Sequence, residues 1–270
     1  MRGASRASLA EATERLAGLT AGAPSARQLG DELFAVVTVL DGEPALRRAL
    51  ADPASARGAR AGLASAVFGS QVSDRTAELI TSVVTSPWSS PADLVDALDQ
   101  LAVLAVVVIA DRDGHLDDLE DDLFRFARIV GSQPELRAAL SNPYAPARAK
   151  EELISALLEG RATPEAVQLV TRASLHPRGR SLDRNLEQYA QLAAQYRERL
   201  VAEVRVATEL SAAQRTRLAA ALAAAYGHEV HLNMVLDPQV IGGMIIRIGG
   251  EQIDASIASR LAELRRRLAA

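Results

Sequence analysis

Over residues 116–130 apolar side chains return at alternating steps of three and four: Leu116, Leu119, Leu123, Phe126 and Val130. That spacing places all five on one stripe of a helix. Ninety positions earlier, Ala26, Leu29, Leu33, Val36 and Leu40 draw the same stripe. Asp117 and Asp118 fall in the first turn of the later helix, where the helix dipole favours acids. Asp52-Pro53 and Asn142-Pro143 each stop a short helix and launch the next. The pattern predicts five or six short helices in each half, closed by long helices near 91–110 and 181–204. The first of these long helices also opens the second half.

Identities follow the same step. Laying 32–85 over 122–175 gives 14 identical residues in 54 positions without a gap. They concentrate at Pro44, Leu46, Arg47, Ala49, Leu50 and Pro53 against Pro134, Leu136, Arg137, Ala139, Leu140 and Pro143. A shared register of this length marks an internal duplication.

After about residue 200 the period changes from helical to two. Ala202, Val204 and Val206 alternate with Glu203 and Arg205, which is the pattern of a strand. Ser211 and Gln214 have the spacing of a capping box and open an alanine-rich helix through Tyr226, which Gly227 ends. Residues 230–236 and 244–248 predict two more strands, with Gly249-Gly250 as a tight turn before Ile253. A last helix carries Ile257, Leu261, Leu264 and Leu268 on one stripe. The expected architecture is mainly α: two tandem six-helix-type bundles sharing a long helix, then a small α+β domain. The expected boundaries are 1–100, 101–200 and 201–270.

Composition narrows the function. The chain has 270 residues, a net charge of −4, 49% apolar but only 3% aromatic residues, and 52 alanines. This suits thin helix-to-helix layers. With no cysteine, thiol catalysis, disulfides and zinc-thiolate sites drop out. Near-neutral charge with few aromatics argues against a nucleic-acid binder. The most apolar run, 101–110, is ten residues against the roughly twenty needed to span a bilayer. A cytosolic or peripheral protein is expected.

Chemistry is sparse. His228 and His231 are three apart on a predicted strand, so they point to opposite faces, unlike the helical i, i+4 pair of zinc proteases. The stretch from Asp111 to Gly114 opens like a calcium loop, but Leu116 and Asp122 stand where that loop needs glycine and glutamate. Gly242-Gly243 and Gly249-Gly250 fit neither a phosphate loop nor a dinucleotide fingerprint, and serve turns. No catalytic residue, metal, cofactor or small-molecule ligand is expected. Leu101, Leu104, Val108 and Ile109 make the shared helix apolar nearly all round, which is the mark either of a fully buried helix or of an interface.

The stretch containing Leu236, Asp237, Pro238, Ile241, Gly242, Gly243, Arg247, Ile248, Gly249, Ile253, Asp254, Ser256 and Ile257, then Arg260, Leu261 and Leu264, resembles the signature of the F-type ATP synthase delta subunit family. Its mitochondrial relative is the oligomycin-sensitivity-conferring subunit. Pro134, Leu136, Arg137, Asn142, Pro143, Lys150, Gly179, Arg180 and Ser211 are similar to the family upstream. The resemblance covers about residues 100–270, with Ala255 where the family usually has glycine. Residues 1–100 are an extra bundle.

The resemblance implies a non-catalytic stator part of the proton-translocating ATP synthase, peripheral to the cytoplasmic face of a bacterial plasma membrane. It implies two partners: N-terminal helices of the alpha subunits and the end of the b subunit. The family's groove between the first and fifth helices of the bundle would fall here at Leu104, Val108, Val167 and Val170. The equivalents in the first half lie near 9–19 and 77–84. The b-subunit contact would fall at Ile257, Leu261, Leu264 and Leu268. Asp237, Pro238, Gly242, Gly243, Arg247, Gly249 and Asp254 are expected to shape the fold. A helical-repeat adaptor of the same fold, binding another partner, is the alternative.

Overall fold

The computed structural model describes residues 1, 3–20, 26–199, 201–226, 230–237, 240, 242–248 and 251–255. The helices are α1 (Ala4–Thr20), α2 (Ala26–Gly42), α3 (Pro44–Ala51), α4 (Arg57–Phe68), α5 (Asp74–Thr85) and α6 (Pro91–Arg112). Then come α7 (Leu116–Ser132), α8 (Pro134–Ser141), α9 (Ala147–Leu158), α10 (Pro164–Leu175) and α11 (Leu182–Arg199). The remaining part is β1 (Val201–Val206), α12 (Ala212–Tyr226), β2 (His231–Leu236), β3 (Met244–Ile248) and β4 (Glu251–Asp254). The chain is thus mainly helical with a small C-terminal sheet. It divides into two compact units, Met1–Ala193 and Ala194–Ala270.

Proline at the first turn starts α3, α6, α8 and α10, where its missing N–H costs no hydrogen bond. Every member of the two stripes is buried, from Ala26 to Leu40 on α2 and from Leu116 to Val130 on α7. The apolar helix α6 is covered on both sides. Helices α1, α2, α3 and α5 pack on it from the first half, and α7 and α10 from the second. Fifteen of its residues are buried, including every one from Leu101 to Ala110. Close approach explains one glycine. A Cβ on Gly30 of α2 would sit 3.4 Å from the Ala105 Cβ and 3.5 Å from the Ala102 carbonyl.

The ninety-residue step recurs in the polar contacts. Glu32 of α2 accepts hydrogen bonds from the Ser73 N–H and hydroxyl at the start of α5. Asp122 of α7 accepts from the Thr163 N–H at the start of α10. In each case an acid from the preceding long helix satisfies a helix N-terminus, where anions are favoured. At the other end, buried Arg60 donates to the carbonyls of Val84, Thr85 and Ser86 at the C-terminus of α5. Lys150, the single lysine, is equally buried and donates to the Ser174 carbonyl of α10. Both cations meet the negative end of a helix.

Burial raises the Glu32 carboxyl, but the bonds from Thr76, Ser73 and Gln28 outweigh it and hold the group below its ordinary value. A lowered carboxylate adds stability above the ordinary glutamate range. That contribution is lost as pH falls through the lowered value.

In the second unit the strand order is β2-β1-β3-β4, with β1 parallel to β2 and antiparallel to β3. Val204 pairs with Met234 on one side and Ile246 on the other. The period of two does what it predicts. Ala202, Val204 and Val206 are buried against Leu222 of α12, with Val230, Ile246 and Ile248 completing the core. Ser211 and Gln214 form a reciprocal cap, each backbone N–H donating to the other's side chain. Gly242 and Gly243 both take positive φ before β3, a conformation that disfavours any Cβ. The helix expected to reach 204 ends at Arg199, because the alternation of β1 begins at Val201.

Candidate partner-binding surfaces

Three of the four groove candidates are covered. Leu104, Val108 and Val170 are 9%, 7% and 0% exposed, and Val167 is half-buried. Within the helical unit α2 packs along α6 and reaches α10 with its side chains. Arg27 meets Glu165 at 3.3 Å, and Asp31 accepts from Gln168 at 2.8 Å. Arg172 donates to the Thr38 hydroxyl at 2.9 Å and stacks over the Phe34 ring at 4.7 Å. The pair α6–α10 therefore already carries a helix, supplied by the same chain.

The counterpart pair in the first half is different. Helix α1 packs on α5 as α6 packs on α10. A cleft of about 540 Å³ runs over α1, α4 and α5, with Arg15, Phe68, Ala77, Glu78, Thr81 and Ser82 among its walls. Arg15 and Glu78 face each other across it at 3.6 Å, their side chains 44% and 58% exposed. Such an exposed pair holds little energy and opens at little cost.

A partly buried charge cluster, with Asp99 and Arg172 at its buried end, ties α2, α6, α10 and the segment after α10 together. Arg178 lies 3.1 Å from Asp41, 3.1 Å from Asp96 and 3.6 Å from Asp99. It also donates to the Val95 carbonyl, and Arg180 donates to Asp96. Arg172 lies 3.7 Å from Asp99. Burial pushes the Asp99 carboxyl above its usual range despite the pull of Arg178 and Arg172. The expected site residues did not include this cluster. Its members are up to 137 positions apart, Arg178 and Asp41, and share no local pattern.

In the second unit the Asp237 N–H donates to Val206, and its carboxylate lies 3.8 Å from Arg205, so it fixes the exit of β2. Arg247 donates to Gln252 across the β3–β4 pair, and Asp254 stands opposite Ile245. Pro238, Gly249, Ile257, Leu261, Leu264 and Leu268 lie outside the described residues, as do His228 and Gly227. Among the described residues no group of three or more His, Cys, Asp or Glu is placed to hold a metal, and no helix is long and apolar enough to cross a membrane.

The fold defines the class: a mainly helical unit followed by a separate unit with a small four-stranded sheet. Comparison with known proteins then gives the family. The family described as ATP synthase delta (OSCP) subunit matches residues 103–268. The chain is similar to ATP synthase subunit delta of Streptomyces avermitilis, at 51% identity over 99% of this chain and 98% of that one. It is 46% identical to the subunit delta of Acidothermus cellulolyticus, over 100% of both chains. The same figures hold for that of Thermobifida fusca. The chain belongs to the delta (OSCP) family of F-type ATP synthase subunits, and its role is that of a peripheral-stalk subunit. The first hundred residues, outside the family match, are nonetheless shared with these full-length relatives.

Proposed function

We propose that this chain is the non-catalytic stator link of a proton-translocating ATP synthase on the cytoplasmic face of a bacterial plasma membrane. Its helical part is two tandem six-helix bundles sharing α6. One bundle face holds N-terminal helices of alpha subunits. The terminal segment carrying Ile257, Leu261, Leu264 and Leu268 meets the end of the b subunit. Static binding is the demand here, since the head must not turn with the rotor while proton flow does work in its catalytic sites. A nanomolar contact, about −12 kcal/mol, needs a few buried apolar anchors and no reactive group.

The observation that carries this reading is the full-length match to subunit delta at 51% identity. That match disfavours the adaptor alternative. The test is purification of the tagged chain from gently solubilised membranes. Alpha, beta and b subunits in fixed proportion are expected. An unrelated partner, with the synthase absent, would overturn the reading.

A further inference from the structure

We infer that the outward face of α7 pairs with the same face of a second copy of this chain, antiparallel and centred on Phe124. The pairing goes beyond the stator reading and does not depend on it, because α7 carries none of the residues assigned to the alpha or b contacts.

The ninety-residue step gives this face a precedent inside the chain. On α2, Asp31, Phe34 and Thr38 dock onto α10. Asp31 accepts from Gln168, Phe34 lies under the Arg172 guanidinium, and Thr38 accepts from Arg172. Ninety positions on, Asp121, Phe124 and Arg128 share one stripe of α7, opposite its buried stripe. Here the aromatic is uncovered: Phe34 is 7% exposed and Phe124 is 55%. Asp121 and Arg128 are exposed too, and their side chains make no hydrogen bond or ion pair with other described residues. Half-exposed Ile129 and a hollow of about 310 Å³ along Arg125, Arg128, Ile129 and Ser132 extend the face toward the end of the helix.

The order of charges names the occupant. Asp118 and Asp121 stand in the first half of α7, and Arg125 and Arg128 in the second, the order that the helix dipole favours. Such a helix is its own complement when reversed. Place a two-fold axis between positions 124 and 125. Asp121 and Arg128 then lie equally far from it on opposite sides, so each Asp121 faces the other copy's Arg128. Phe124 meets its own counterpart beside the axis, where two rings can stack offset or edge to face. Arg125 also comes near the axis, but Asp122 of its own helix pairs with it and offsets its charge. An aromatic pair flanked by two identical ion pairs is the self-complementary patch that a two-fold dimer requires. One helix pair covers less than the roughly 1,600 Å² of a standard interface, so the association is transient.

Sedimentation equilibrium of the full-length chain, at concentrations up to about 1 mM, registers such a contact. The weight-average mass should climb from 28.6 kDa toward twice that value. Asp121→Arg or Arg128→Asp alone sets like charges face to face at both ends, and should weaken the association at least about tenfold. The double variant Asp121→Arg/Arg128→Asp restores opposite charges and should restore the association. Thermal midpoints of all three variants should stay close to that of the unaltered chain, since both residues are exposed. A chain that stays monomeric throughout would overturn the inference. So would single reversals that associate as well as the unaltered chain, or a double variant no tighter than either single one.

Discussion

Arg178→Ala is expected to lower the stability of the helical unit by about 3 kcal/mol, the low end of the cost of breaking a buried ion pair. Arg178 reaches three carboxylates, and Asp99 is only 2% exposed. One Asp99 oxygen has no hydrogen-bond partner, and with Arg178 gone the carboxylate keeps Arg172 at 3.7 Å as a looser cation. For a unit of this size the melting temperature should fall by roughly 6–12 °C. The pH dependence has a definite sign. Burial already raises the Asp99 carboxyl above its unfolded value, and loss of Arg178 raises it further. A raised carboxyl favours folding only while protonated, so the defect should grow as pH rises above the ordinary aspartate range. Thermal unfolding of both proteins at pH 5 and pH 8 checks this. A midpoint change under about 2 °C, or a larger defect at pH 5, would contradict it.

Gly30→Leu should cost a similar amount, about 2–4 kcal/mol, through overpacking and separation of α2 from α6. The space there ends at the Ala105 Cβ, 3.4 Å from where a Cβ would stand. Gly30→Ala is the informative partner. Its methyl meets contacts at the edge of ordinary van der Waals distance, and alanine gains up to about 1 kcal/mol of helix propensity. The alanine variant should therefore be nearly neutral and the leucine variant severe. Urea unfolding compares them, and equal midpoints for the two would contradict the close crossing. A leucine that parts α2 from α6 should also loosen the Arg27–Glu165 and Asp31–Gln168 contacts.

Much of this fold is written locally. The stripes of α2 and α7, the alternation of β1 and the cap of α12 each need only neighbours three or four positions away, and each is where its spacing predicts. Helix α1 is quieter, since Ser5, Ser8 and Thr20 take buried positions that period analysis assigns to apolar residues. Ser5 resolves the conflict by donating to Asp93, and Ser8 by donating to the Pro87 carbonyl. Those partners are distant in sequence, so the stripe is blurred. Helix α6 left two readings open, core or interface, because an all-round apolar helix satisfies both. Only the packing of α2 from one side and α7 and α10 from the other decides it.

The same limit governs the candidate surface. The duplication predicts two equivalent helix pairs, α1–α5 and α6–α10, and nothing local says that α2 packs across the second of them. Covering depends on Arg27, Asp31, Phe34 and Thr38 projecting from α2 onto α10, contacts more than 130 positions apart. The Arg178 cluster is likewise a product of tertiary structure alone. Its most telling local sign is Arg178 itself, a non-glycine residue at φ 52 beside Gly179, held in a conformation that arginine rarely adopts.

The central claim is that this chain mechanically couples head to stalk. Its most direct test is proton-driven ATP synthesis in membrane vesicles depleted of this subunit, before and after purified full-length chain is added back. The account predicts that depleted vesicles release the head and lose synthesis, while the released head still hydrolyses ATP. Added chain should return both attachment and synthesis. Depleted vesicles that keep the head bound and make ATP at the original rate would contradict it.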